Sequence, residues 1–455
     1  MINLEKKMFR SPKFYLIALL LLGLTAQGYA ETIAEVRSLS TRQRGLGNTR
    51  VALPDPARAL YTNPAGLSVF TKKEVQVKPR AEEAEPKEEN EVSVDALASG
   101  TEENTSSENT EITSDTTPPV VTHELVYANF FLAPRFTAGL REGSLDHLDT
   151  FRDIQNSSDT AQKLSLLRSI IPAKGNVSSQ ADFFHWGRKS FGIGLYTTTE
   201  ISGVVQRRSS PEMVLDVHTD VVAGIGFSKL FGDTAIGITP KYVSRLYLYD
   251  PTNTSNPREL FLDVDDVTDI ANDSDSGKLD DLKFYNPSGL LVDLGLLRPL
   301  TTKYGNGHWG ASIYNIGGEL SGELDGTSTT IKTKIPTEIV VGASLETNSD
   351  HILLKDTLIL ADFELQGGVS TYEKRIHLGL ERELFKRFDN MLAKSFILRM
   401  GINEGFIVGG FGIRILNIKK LSVLHLNYAY YAEELGAEIG HNTAEYQTVE
   451  IGFLF

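Results

Sequence analysis

The chain has 455 residues, a formal net charge of −14 and no cysteine, which removes disulfide staples, thiolate metal sites and cysteine nucleophiles from consideration. Beyond residue 30 it holds no run of about 18 apolar residues, the length a membrane-crossing helix needs, so a helical membrane protein is excluded. The acidity is local, since residues 78–119 carry twelve acidic and three basic side chains, and nothing resembles a basic footprint for nucleic acid.

At the start, Lys6, Lys7, Arg10 and Lys13 precede an apolar stretch from Phe14 to Leu24 that is too short to span a bilayer. Gly28-Tyr29-Ala30 then supplies small residues for cleavage before Glu31, so residues 1–30 read as a secretory signal peptide. Residues 31–70 are polar and turn-rich, broken by Gly45, Gly47, Pro54, Pro56, Pro64 and Gly66, with at most a short helix near Ala57 to Tyr61. Residues 80–117 have almost no large apolar side chains to offset the entropy of ordering, and are expected to form a disordered acidic insertion.

Beyond Val121 the pattern becomes one of many short segments with period two, interrupted by long connections at 143–179 and 250–286. In the first connection Leu145, Leu148, Phe151 and Ile154, then Leu164, Leu167, Ile170 and Ile171, recur every three or four residues. That spacing predicts a helical loop at 144–171, two amphipathic helices split by Asn156-Ser157-Ser158-Asp159. In the second, Asp263, Asp265, Asp266 and their acidic neighbours up to Asp281 do not fit an EF-hand, because Gly277 stands where a third Asp or Asn belongs. A solvated loop is expected there.

The strands themselves alternate cleanly. Ile339, Val341, Ala343 and Leu345 oppose Glu338, Ser344 and Glu346, and Ile376, Leu378 and Leu380 oppose Arg375, His377 and Glu381. Phe396, Leu398, Met400 and Ile402 oppose Ser395, Arg399 and Gly401, and a tight Asn403-Glu404-Gly405 turn leads into Ile407, Phe411, Ile413 and Ile415, a hairpin pattern. Gly409, Gly410 and Gly412 belong to that second strand and are read as relieving crowding within the sheet. A charged face recurring in strand after strand fits either a soluble sandwich or a wide membrane barrel with a polar lumen. The last strand favours the barrel: Val449, Ile451, Phe453 and the terminal Phe455 alternate with Thr448, Glu450 and Gly452, as in an outer-membrane assembly signal. Trp186, Trp309, Tyr428, Tyr430 and Tyr431 lie near strand ends, where interfacial aromatic girdles are expected. Fourteen to sixteen strands follow from the count, in an all-β, antiparallel transmembrane barrel over residues 71–455.

Gly45-Leu46-Gly47, followed by Val51-Ala52-Leu53-Pro54-Asp55-Pro56-Ala57 and Asn63-Pro64-Ala65-Gly66, resembles the N-terminal region of FadL-type outer-membrane transporters of long-chain fatty acids. The resemblance covers about forty residues closely. It implies that residues 31–70 are a hatch inside a barrel of about 14 strands, with Gly45, Leu46, Gly47, Asn63, Pro64, Ala65 and Gly66 as hatch residues. It also implies an apolar groove for ligand on the helical loop, formed by Leu145, Leu148, Phe151, Leu164, Leu167, Ile170 and Ile171; the alternative is that these helices only cap the barrel mouth. Fragments such as Leu398-Arg399-Met400-Gly401 and Leu426-Asn427-Tyr428-Ala429-Tyr430 resemble the PorV-type branch, some of whose members act in protein secretion. Read without the family, Asn63-Pro64-Ala65 is a turn signal, because Pro64 restricts Asn63 to extended backbone.

The expected function is passive uptake of long-chain fatty acids or other hydrophobic small molecules across a bacterial outer membrane; a PorV-like secretion partner and a nonspecific porin are the alternatives. Expected partners are outer-membrane lipids, a hydrophobic ligand and the barrel-assembly machinery acting on Val449, Ile451, Phe453 and Phe455. No cofactor is implied: there is no HExxH pair and no phosphate loop. His218 and Asp220 share a strand face, but with no serine partner to name they do not make a hydrolase.

Overall fold

A computed structural model describes residues 40–53, 55–69, 130–144, 146–157, 159–207, 209–249, 260–263, 266, 283–323, 330–349, 351, 354–365, 372–385, 393–416, 423–434 and 443–454. The signal peptide and the acidic insertion at 80–117 lie outside the described residues, as does most of the Asp-rich loop.

Among the described residues the strands form one closed antiparallel barrel of fourteen. They are β1 (Phe130–Leu132 with Arg135–Arg141), β2 (Ala173–Arg188), β3 (Phe191–Gln206), β4 (Glu212–Phe231), β5 (Thr234–Tyr249), β6 (Lys283–Tyr285 with Ser288–Thr302) and β7 (Gly305–Ile316 with Glu319–Glu323). The ring continues with β8 (Thr330–Lys334 with Glu338–Thr347), β9 (Thr357–Leu365), β10 (Ile376–Phe385), β11 (Ala393–Asn403), β12 (Phe406–Leu416), β13 (Val423–Glu434) and β14 (Thr443–Leu454). Pairing of β14 with β1, from Tyr446 opposite Arg141 to Gly452 opposite Arg135, closes it. Three of the strand breaks carry a proline, Pro134, Pro287 and Pro336, which has no N–H to give a ladder. The fourth, in β7, falls at Gly317-Gly318.

The alternation read from the sequence sets the two faces of this wall. Val449, Ile451 and Phe453 on β14 are exposed, whereas Thr448 and Glu450 are buried. Ile376, Leu378 and Leu380 face out while His377 and Glu381 face in; Leu398, Met400 and Ile402 face out while Arg399 faces in. On β2 the register shifts between Asp182 and Phe184, and the extra residue leaves Phe183 and Phe184 both on the outside. The exterior is thus an apolar band suited to hydrocarbon, and the interior holds the charges, as in a membrane barrel rather than a sandwich. Tyr431 departs from the girdle expectation. It is 3 % exposed on the lumen side, stacked on Tyr446 with centroids 5.0 Å apart.

In the first long connection, helix α3 (Leu148–Asn156) and helix α4 (Thr160–Ser169) follow the predicted spacing, and Asp159 caps α4 by accepting from the Ala161 N–H. Labels α1 and α2 belong to two short helices of the N-terminal segment, Thr41–Arg44 and Pro56–Thr62.

Candidate functional site

The barrel interior is occupied by residues 40–69, called here the inner segment. Ser40 opens α1 with a capping box, its side chain receiving the Gln43 N–H at 3.2 Å while Gln43 Oε1 receives the Ser40 N–H at 2.9 Å. After Gly45 the chain turns through two left-handed residues, Gly47 (φ 66°) and Asn48 (φ 63°), where glycine relieves the strain of the first. Asn63 is extended (φ −151°, ψ 103°) ahead of a 3-10 turn over Pro64–Ser68. Its Oδ1 receives the Ala65 N–H, and its Nδ2 donates to the carbonyls of Val51 (2.8 Å) and Leu296 (3.0 Å). Asn63 therefore ties the turn both to the inner segment and to β6.

Lumen-side contacts of this segment run around the whole ring. Arg44 reaches Gly139 of β1; Tyr61 lies against His185 of β2 and Tyr196 of β3; Ser68 meets Ser228 of β4 at 2.6 Å. Pro64 sits over Gly237 of β5, Asn63 over Gly295 of β6, and Ser312 of β7 donates to the Thr62 carbonyl at 3.3 Å. Arg50 pairs with Glu338 of β8 and Glu364 of β9, each at 3.1 Å. Arg42 pairs with Glu381 of β10, Asn48 donates to Asn403 of β11, Gly45 abuts Gly410 of β12, Arg44 lies 4.8 Å over the ring of Tyr431 of β13, and the Thr41 N–H donates to Glu450 of β14 at 3.0 Å.

Close approach depends on glycines paired across neighbouring strands. Gly192 faces Gly226, Gly194 faces Gly224, Gly237 faces Gly295, and Gly379 faces Gly401. A Cβ on Gly237 would collide with the backbone of Pro64, and one on Gly379 or Gly401 with the Leu46-Gly47 backbone. Gly410 relieves crowding within the sheet as expected, since a Cβ there would collide with the Tyr428 carbonyl of β13, and its Cα also lies 3.5 Å from where a Cβ on Gly45 would be. The glycines are notches in the wall that seat the inner segment.

The two sides of the lumen differ in kind. From β8 round to β14, wall carboxylates pair with the inner segment. Arg58 reaches Glu450 at 3.1 Å, Arg42 also holds Asp55 at 3.2 Å, and Arg399 braces Glu381 at 2.7 Å and Asn427 at 2.9 Å. Asp362 receives the backbone N–H groups of Arg50 and Val51 at 2.6 and 3.0 Å, while Arg135 of β1 and Asp182 of β2 pair with each other. On β4 to β6 the wall charges pair with each other: Arg245 grips Asp220 through two nitrogens, and Lys241 holds Asp293 at 2.8 Å. Asp220 thus serves Arg245 and not His218, whose nearer carboxylate is Asp216 at 3.4 Å. Apart from the Ser68–Ser228 and Asn63–Leu296 hydrogen bonds, the inner segment meets this side mainly through apolar groups. Ala59, Leu60, Tyr61 and Leu67 form one buried cluster with Tyr196, Val222, Val243, Leu291, Leu320 and Ile335.

Of the groove residues expected on the helical loop, Phe151, Leu167 and Ile170 are buried in a cluster with Ile154, Ala173, Val205, Met213, Leu215, Leu260 and Leu262, with Leu164 and Ile171 packed at its edge. Leu145 and the side chain of Leu148 lie outside the description. Val205 pairs with Met213 and Gly203 with Leu215, in the same parity as the exposed Leu195, Val221 and Ile225. The helices consequently pack on the face continuous with the barrel exterior, beyond the apolar band, instead of capping the lumen; local periodicity reveals an apolar face but not which side of a sheet will cover it. The ion pairs that hold the inner segment were not legible either, since their partners stand about 300 or more residues apart, although the recurring inward charge was.

No protein-family model and no curated protein matches this sequence. Among solved structures, it is similar to the Pseudomonas putida toluene transporter TodX at 11 % identity and TM-score 0.42, covering 93 % of this chain and 98 % of that one. A Pseudomonas aeruginosa FadL homologue gives 8 % identity and TM-score 0.39 over 92 % and 99 % of the two chains. The translocator domain of the autotransporter NalP from Neisseria meningitidis gives 10 % identity and 0.31 over 72 % and 87 %. At such scores the likeness carries no inference about substrate.

Proposed function

We propose that this protein is an outer-membrane channel for hydrophobic small molecules, with long-chain fatty acids its foremost substrate class and the inner segment its plug. The observation that carries the reading is the division of the lumen. Ion pairs anchor the plug to one side of the wall, while mainly apolar contacts, with the Ser68–Ser228 and Asn63–Leu296 hydrogen bonds, hold it to β3–β6. An apolar molecule can exchange for apolar contacts at little cost, whereas a hydrated solute cannot. Passage then follows the apolar side while the charged side keeps the plug in the barrel. A nonspecific porin would instead present a polar, open lumen.

Reconstitution into liposomes tests this. The vesicles should take up a fluorescent long-chain fatty acid faster than empty ones and show little ionic conductance in planar bilayers. Large conductance without fatty-acid uptake would make it a porin, and co-purification with exported proteins in place of uptake would make it a secretion partner.

A further inference from the structure

The far end of the β7–β8 hairpin is attached differently from the rest of the wall. Below it, β7 pairs with β6 continuously from Gly305 opposite Thr302 to Ile313 opposite Leu294. Then Asn315 (φ 58°) and Gly317 (φ 84°) turn the chain, and the returning strand is interrupted at the same level by Ile335-Pro336-Thr337. Beyond these breaks Glu319–Glu323 and Thr330–Lys334 keep their own ladder, but the register with β6 among the described residues is one pair, Ser321 opposite Ser288. The outward side of this piece is polar, with Lys332 and Glu319 joined at 2.7 Å in solvent. Leu320 nonetheless is fully buried, and with Ile335 it belongs to the apolar cluster of Tyr196, Val222, Val243 and Leu291. Gly289 leaves it room, since a Cβ there would lie 3.0 Å from Leu320 Cδ2.

We infer that this hairpin end is a flap hinged at Asn315–Gly318 and Ile335–Thr337, and that Leu320 holds the place of the ligand on the lumen wall. When the flap lifts, Tyr196, Val222, Val243 and Leu291 become the binding site. The class of ligand follows from its neighbours. The nearby cations Arg245 and Lys241 are engaged by Asp220 and Asp293, so the site takes an uncharged body, a hydrocarbon or the alkyl portion of an amphiphile, and leaves any carboxylate to the solvent side. This rests on the channel reading and adds to it where the ligand binds and what must move.

The chain contains no cysteine, so a Ser288→Cys, Ser321→Cys pair offers a single disulfide. Opposed residues of antiparallel strands have Cα atoms about 4.5–5.5 Å apart, within the range a disulfide spans. With a dansylated undecanoate as probe, oxidation of this variant in liposomes should lower both binding and uptake by about tenfold or more, the scale on which loss of the binding-competent population acts, and dithiothreitol should restore them. Leu320→Ala should bind the probe about tenfold tighter because the closed state loses its competitor. Equal uptake by the oxidised and reduced forms, or unchanged or weaker binding by Leu320→Ala, overturns the flap while leaving the channel reading intact. Wild-type vesicles that take up no probe overturn both.

Discussion

Arg42 on α1 and Glu381 on β10 meet through two parallel hydrogen bonds, Nε to Oε2 at 2.8 Å and Nη2 to Oε1 at 2.6 Å. They join residues 339 positions apart and are the geometrically strongest of the ties between inner segment and wall, since a fork-to-fork pair fixes orientation as well as distance. Arg42→Ala leaves Glu381 with Arg399 still bound, so the loss should be that of hydrogen bonds to a charged group, about 1.5–3 kcal/mol. Amide hydrogen exchange across residues 41–48 should accelerate on the order of 10- to 100-fold while barrel strands exchange as before. Unchanged exchange there would show that the ion pair does not hold the inner segment.

The notch formed by Gly237 and Gly295 makes a complementary prediction. Gly237→Ala puts a methyl group into the backbone of Pro64, and backbone cannot yield as a side-chain tip can. The strand can still form, because alanine suits β backbone no worse than glycine does. The 3-10 turn over Pro64–Ser68 should therefore be expelled with the barrel intact. Planar-bilayer recordings should show ionic conductance that wild type lacks; a variant as tight as wild type would mean that the notch is not where the turn seats.

At the far rim, Glu404 in the turn between β11 and β12 receives the Glu434 N–H at 2.9 Å. Burial, with Glu433 adding repulsion and Lys374 opposing it, pushes its carboxyl up to about 7. The folded value exceeds the unfolded one of about 4.3, so the folded protein binds the extra proton between them. Stability should fall as pH rises from about 4 to about 7 and level off above, by something on the order of 1–3 kcal/mol. Glu404→Gln keeps the acceptor oxygen for Glu434 and removes the titration. Its thermal unfolding should slope less across that window than that of wild type; parallel slopes would exonerate Glu404.

The wall was legible in the sequence and the inner segment's attachments were not, for a physical reason. Alternation is local: Ile451 and Glu450 are neighbours, and their opposite faces follow from strand geometry alone. The helices over 148–169 were legible for the same reason, their period of three to four being carried by Phe151, Ile154, Leu164 and Leu167. Arg50 with Glu338 and Glu364, or Gly237 with Pro64, are joined only by closure of the ring. Their residue types look like ordinary surface charge and ordinary strand glycine until the fold brings them together. Tyr431 illustrates the same limit: its parity put it inward, under Arg44, while its position near a strand end suggested a girdle.

The apolar band itself can be mapped by depth along β4. Its outward residues run from Leu215, covered by the helix pair, through the exposed Val221, Ile225 and Phe227 to Phe231 at the rim, where Gly232-Asp233 turns the chain. Midway lies Val221. If hydrocarbon surrounds this band, an arginine at the midplane costs about 2–4 kcal/mol and one at the interface about 0–1 kcal/mol. Denaturant unfolding in lipid vesicles should therefore rank Val221→Arg well below Phe231→Arg, although Phe231 is the larger side chain and would lose more apolar contact. In water the order reverses, because each substitution then costs only the packing it removes. A larger loss for Phe231→Arg than for Val221→Arg would mean that the apolar face is covered by protein, not lipid, and no channel across a membrane could be built on it.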